Sequence, residues 1–175
     1  KGEPEEPTRL TPEMIDWERT RAWGEGGYYC RLFLNVAGRE PQGTVAPEDY
    51  ERVRSELATK LEGLGDEQGR PIGTVAHRPE ALYQTRNGIA PDLLVYFGDL
   101  LWRSIGQVGT GTVHVFENDT GPDDANHAHE GLYLLVADGV RPGPGPERDL
   151  RDIAPTLLTL LGEPVPDEME GASLV

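Results

Sequence analysis

The sequence predicts an α/β fold, a mainly parallel sheet covered by helices. Three observations predict it. Apolar runs of strand length alternate with segments of helical period. Their order is strand, helix, strands, strand, helix, the pattern of layered α/β domains. The run Pro91–Phe97 is apolar without alternation, as expected of a strand buried on both faces. At 175 residues, the chain is long enough for one domain with a core.

The elements follow in order. Lys1–Pro12 is charged and Pro-rich, and reads as a disordered or extended lead to a single domain over residues 13–175. Met14–Trp23 reads as a short turn or helix, with Trp17 and Trp23 forming a packed patch. Tyr28–Val36 is rich in aromatic and branched residues between glycines and predicts a strand. Gly38–Gly43 is a turn carrying Arg39, which either stays solvated or clamps an anion.

Ala46–Leu64 is the clearest helix. Tyr50, Val53, Leu57, Leu61 and Leu64 form one apolar stripe, Pro47 suits the first turn, and Gly63 and Gly65 end it. Thr74–His77 predicts a short strand and Arg78–Tyr83 one helical turn, with His77 structural. Leu100–Ile105 reads as a strand or irregular. The stretch 106–111 is Gly-rich but lacks the Lys-Ser/Thr ending of a phosphate-cradling loop. Strands are expected at Val113–Phe116 and Gly131–Val136. A last helix is expected over Asp152–Gly162, capped by Asp152 and stopped by Gly162.

Composition excludes several functions. The net charge of -15 argues against nucleic acid and anionic membranes, which need clustered Lys and Arg. No apolar run approaches the length that spans a bilayer, and no signal peptide is visible, so the reading is cytoplasmic. The chain opens on Lys1 rather than Met, as an excised segment would. The single cysteine, Cys30, lies in an apolar run and reads as a buried structural thiol rather than a nucleophile.

The stretch most suggestive of chemistry is Asn126-His127-Ala128-His129-Glu130-Gly131. It holds two of the four histidines, between a Gly/Pro/Asp-rich loop and an apolar run. A histidine at the mouth of a strand is held at a fixed place and angle, as a metal ligand must be. A lone His-x-His pair in a loop is more often solvated or hydrogen-bonded than metal-bound.

Several segments together resemble a known family. They are Ile15–Ala22, Leu34–Gly43, His127-x-x-Glu130-Gly131 with the run behind it, and Asp152-Ile153-Ala154-Pro155-Thr156-Leu157-Leu158 with the tail through Leu174. They resemble the later part of the alkaline phosphatase superfamily. The resemblance is closest to its type I phosphodiesterase and nucleotide pyrophosphatase branch, among predicted phosphohydrolase/phosphomutase proteins.

The resemblance implies hydrolysis of phosphate mono- or diesters at two divalent metal ions, zinc or sometimes manganese, with a Ser or Thr nucleophile. It implies His127 as a metal ligand, with His129 in its place if the register shifts by two, and Arg39 as a substrate contact. No counterpart of the nucleophile or of the earlier Asp and His ligands is found, so no catalytic residue is assigned. The expectation is a C-terminal segment of a metal-dependent phosphohydrolase, inactive alone. The upstream half of the same enzyme would be its partner and a small phosphate ester its substrate. Within the chain, His129 and Asp124 are the candidate partners of His127. Sulfatases and cofactor-independent phosphoglycerate mutases share the fold and terminal helix; the Asn35–Gly43 loop favours the phosphodiesterase branch. The alternative from another class is a non-catalytic α/β module for binding or assembly.

Overall fold

A computed structural model describes residues 6–116 and 125–175. Asp124, and most of the loop ahead of His127, lie outside the described residues. The chain forms two compact units, Lys1–Glu130 and Gly131–Val175.

The first unit is a four-stranded sheet with a helix on one face. Its strands are β2 (Ala22–Glu25), β3 (Cys30–Leu34), β4 (Val75–His77) and β5 (Leu93–Tyr96), in the order β2-β3-β5-β4. A further two-residue strand, β1 (Thr8–Arg9), pairs with β6 (Gln107–Val108). Helix α1 (Tyr50–Glu62) follows a 3-10 turn at Pro47–Asp49, and α2 (Pro79–Leu82) is one turn.

The fold is α/β, but every named strand pair is antiparallel. The parallel sheet expected from the apolar run of β5 is not what these strands form. The burial reading itself holds, since Leu93, Leu94 and Val95 are all buried. Burial on both faces dictates apolar side chains; strand direction is set by main-chain pairing, which composition does not record.

The core sits between the sheet and α1. Cys30 and Leu32 on β3 stand in register with Val95 and Leu93 on β5, sharing one face. Leu57, Ala58 and Leu61 of α1 pack against them. Val53, Tyr50 and Leu57 close over Leu34, Val36 and Val45. The predicted stripe therefore buries as its 3.6-residue period requires. The opposite face of β3 carries Phe33, stacked on its cross-strand partner Trp23 at 5.4 Å, with Trp17 edge-on to Trp23 at 5.2 Å. Thus Trp23 lies on a strand, not in the turn or helix expected over Met14–Trp23. Its ring is held by Phe33, a partner distant in sequence.

Asn35 ties this face together. It is 1% exposed, and its amide nitrogen lies 2.9, 2.8 and 2.9 Å from the carbonyls of Trp17, Thr20 and Gln42.

Two expected strands do not form. Val113–Phe116 is irregular, with Val113 and Phe116 exposed. Gly131–Val136, in the second unit, is assigned to no strand. Leu132, Leu134 and Val136 are 95%, 85% and 86% exposed. A strand exists only when a neighbour takes its N–H and C=O groups, and no segment among the described residues does so here.

Also in the second unit, α3 (Ile153–Leu161) forms where the sequence placed it, and Gly162 stops it at φ 74°. The cap differs. A 3-10 turn, Leu150–Asp152, precedes the helix, and Asp149 is its N-cap. The Asp149 carboxylate accepts the Arg151 amide at 2.9 Å, and Asp152 reaches back to the Asp149 amide at 3.3 Å. Asp152 does stand at the N-cap position of α3, but its side chain makes no cap bond there; it serves as the far half of the capping box of the 3-10 turn.

Candidate functional site

The site is built at the end of β5. After Phe97 the chain turns through Gly98, Asp99 and Leu100, with φ of 56°, 53° and 68°. Three consecutive left-handed residues are costly, and a leucine there most of all. Gly98 is required twice over: a Cβ would also fall 2.6 Å from Trp102 Cδ1 and 3.1 Å from the Ile72 carbonyl. Strained backbone persists only where surrounding contacts hold it. Here Leu100 is buried, and the Asn126 amide donates to the carbonyls of Leu100 and Trp102.

Asn126 also organises the histidine stretch. Its Oδ1 accepts the His127 amide at 2.9 Å. His129 Nε2 lies 2.8 Å from Asp99 Oδ1. A carboxylate at this distance accepts from Nε2–H, and in the neutral imidazole that tautomer leaves the lone pair on Nδ1. The His129 ring packs 5.6 Å from Tyr96, which also meets His77 at 5.2 Å. His127 stands edge-on to Tyr28, with ring centroids 4.0 Å apart.

The two histidines named from sequence are thus both oriented, each by a different partner. Asp99 and Asn126 were not named as site residues. Asp99 lies thirty residues before His129, and nothing in its own surroundings marks it.

An oriented imidazole with a free ring nitrogen can take a proton or a metal ion. Asp99 and His129 are suitable donor types for the divalent ions that the resemblance implies. Their number is not sufficient: among the described residues, no group of three or more His, Cys, Asp and Glu is placed to hold a metal.

Arg39 meets a carboxylate inside the chain. Nη1 and Nη2 donate to Asp92 Oδ1 and Oδ2 at 2.8 and 2.7 Å, Nη2 also reaches the Leu34 carbonyl at 2.5 Å, and Nε bonds Glu40 at 3.0 Å. Asp92 is 3% exposed and also accepts the Tyr50 hydroxyl at 2.6 Å and the Leu34 amide at 2.6 Å. Burial pushes the Asp92 carboxyl up, but the bonds from Arg39, Tyr50 and Leu34 together outweigh it and hold it below the usual value. Burial and Asp92 push the Tyr50 hydroxyl up to about 12.

No family model matches the chain, and no solved structure matches it. It is similar to a 2,3-bisphosphoglycerate-independent phosphoglycerate mutase of Salinibacter ruber, 48% identical over 60 residues. The match covers 31% of this chain and 11% of the mutase, about a tenth of that protein. The likeness fits the alkaline phosphatase superfamily loosely and does not single out the phosphodiesterase branch. Among the described residues, no helix is long and apolar enough to cross a membrane.

Proposed function

We propose that this chain is part of a phosphate-ester hydrolase or phosphotransferase, to which it contributes His129, oriented by Asp99, together with His127. The observation that carries the reading is the Asp99–His129 contact at a strained turn. Strain of this kind is concentrated at functional sites. The partial likeness to a phosphoglycerate mutase supports the phosphate-ester class. In this reading, zinc or manganese binds only where further donors complete the set, and the phosphodiesterase branch remains the finer assignment.

The test is turnover of phosphate mono- and diesters by the protein that carries this segment. His129→Ala is expected to lower kcat by two orders of magnitude or more, as loss of a ligand or proton-transfer group does. Asp99→Asn should lower it less, because it removes only the orientation. Unchanged turnover in His129→Ala would remove His129 from the site and leave His127 as the candidate.

A second reading, a binding or assembly module, is favoured by the exposed Leu132, Leu134 and Val136. It predicts full binding or assembly by the His127→Ala/His129→Ala double variant.

A further inference from the structure

We propose that the cavity beside Trp17 and Trp23 binds a compact methylated ammonium cation. The cavity has a volume of 290 Å³, at the small end for ligand sites. It is lined by Trp17, Trp23, Asn35, Glu40, Pro41 and Gln42. The two indole rings stand at 89° with centroids 5.2 Å apart, so they form a corner rather than a flat platform. An aromatic face is electron-rich and attracts a cation, indole most strongly. A corner meets a rounded cation on two sides, whereas a flat ring or a sugar stacks on one open face.

The polar lining has the matching sign. Asn35 is 1% exposed, and its amide nitrogen is committed to the carbonyls of Trp17, Thr20 and Gln42. Among the described residues nothing donates to its Oδ1, which remains an acceptor for a ligand. Glu40 adds a carboxylate. Arg39 bonds it through Nε at 3.0 Å, but the same guanidinium is also bonded to Asp92 through both terminal nitrogens. Two carboxylates share one guanidinium, which leaves one negative charge in excess. No Lys or Arg is among the lining residues, and the net charge of -15 favours a cation further. A bare ammonium would lose hydrogen bonds to water that indole cannot replace. Methyl groups remove that cost and give the rings apolar surface to cover.

The walls are preformed. Trp17 Nε1 donates to the Pro12 carbonyl at 3.2 Å, and Trp23 stacks on Phe33. The Asn35 amide ties Trp17 to Gln42, the indole wall to the loop wall. Gly43 lets that loop close, since a Cβ there would fall 2.2 Å from the Val36 carbonyl oxygen. A site already in shape pays little ordering entropy on binding.

The cavity stands on its own geometry, apart from the phosphate-ester reading. The experiment is calorimetric titration of this chain with choline, ethanolamine, 3,3-dimethylbutanol (the uncharged isostere of choline) and methyl glucoside. Choline is expected to bind, and the other three at least about tenfold more weakly. Trp17→Leu, which keeps apolar bulk and removes the ring, should weaken choline about tenfold, with Trp17→Phe in between. Glu40→Gln should weaken choline roughly three- to tenfold and leave the isostere unchanged. Glu67→Gln, an exposed carboxylate outside the cavity, should change neither. Circular dichroism verifies that each variant is folded, and the comparison of choline with its isostere needs no variant.

No choline binding at millimolar concentration would overturn the proposal. So would equal binding of choline and its isostere, which would make the cavity merely apolar. Tighter binding of methyl glucoside would overturn the ligand class, and unchanged choline binding in folded Trp17→Leu would overturn the site.

Discussion

Asp99 and His129 meet at 2.8 Å across thirty residues of chain, and both depend on Asn126. The Asn126 amide holds the turn that presents Asp99, and its carbonyl oxygen sets the start of the stretch that presents His129. Neither histidine nor carboxylate is deeply buried, so the contact itself contributes little to stability.

That separation of roles gives the first prediction. Asp99→Gly keeps a residue suited to φ 53° and removes the carboxylate. Its unfolding free energy should stay within about 1 kcal/mol of the parent, because relief of backbone strain offsets loss of an exposed pair. Gly98→Ala should cost about 1–3 kcal/mol, since it adds strain and a collision with Trp102. Urea unfolding measures both. A large loss in Asp99→Gly would mean that the carboxylate is structural.

Arg39→Ala should destabilise the chain by roughly 2–3 kcal/mol, because Asp92 would be left charged and buried without its cation. This is set at the low end because the Arg39 side chain is itself 41% exposed. A clamp for a substrate anion predicts otherwise: lost ligand affinity with unchanged stability. The urea midpoint separates the two roles.

Asp92 also predicts an acid response. Its folded value lies below the ordinary aspartate value of 3.8, so the ionised form favours the folded state. That contribution is complete above the unfolded value and is lost as pH falls through the lowered folded value. Thermal unfolding below pH 4 should therefore show a steeper loss of stability in the parent than in Asp92→Asn. Parallel acid limbs would show that Asp92 is not the group responsible.

Cys30 should be inert in the folded chain. It is 7% exposed, and burial pushes its thiol up to about 11, so almost no thiolate exists at neutral pH. Labelling by a disulfide reagent at pH 7 should be slow, and should accelerate sharply in denaturing urea. Fast labelling without urea would show that β3 opens.

Local order alone determined much of this chain. The apolar stripe from Tyr50 to Leu61 requires a helix with one buried face, and a helix forms there. The runs at Cys30–Leu34 and Leu93–Tyr96 require extended, buried backbone, and both are strands. Gly162 requires a helix stop. These outcomes depend on a period of 3.6 residues, on apolar runs of strand length and on single special positions, all written within a few residues of one another.

The tertiary structure decided what depends on partners far away. Strand direction followed main-chain pairing, so runs that suggested a parallel sheet paired antiparallel. Leu132–Val136 has the composition of a strand, yet without a neighbour among the described residues it remains exposed coil. Asp92 found Arg39 across 53 residues, and Asp99 found His129 across 30. The histidines could be suspected from their spacing alone. The carboxylate that orients one of them could not, because a contact between distant residues is created only when the intervening chain folds.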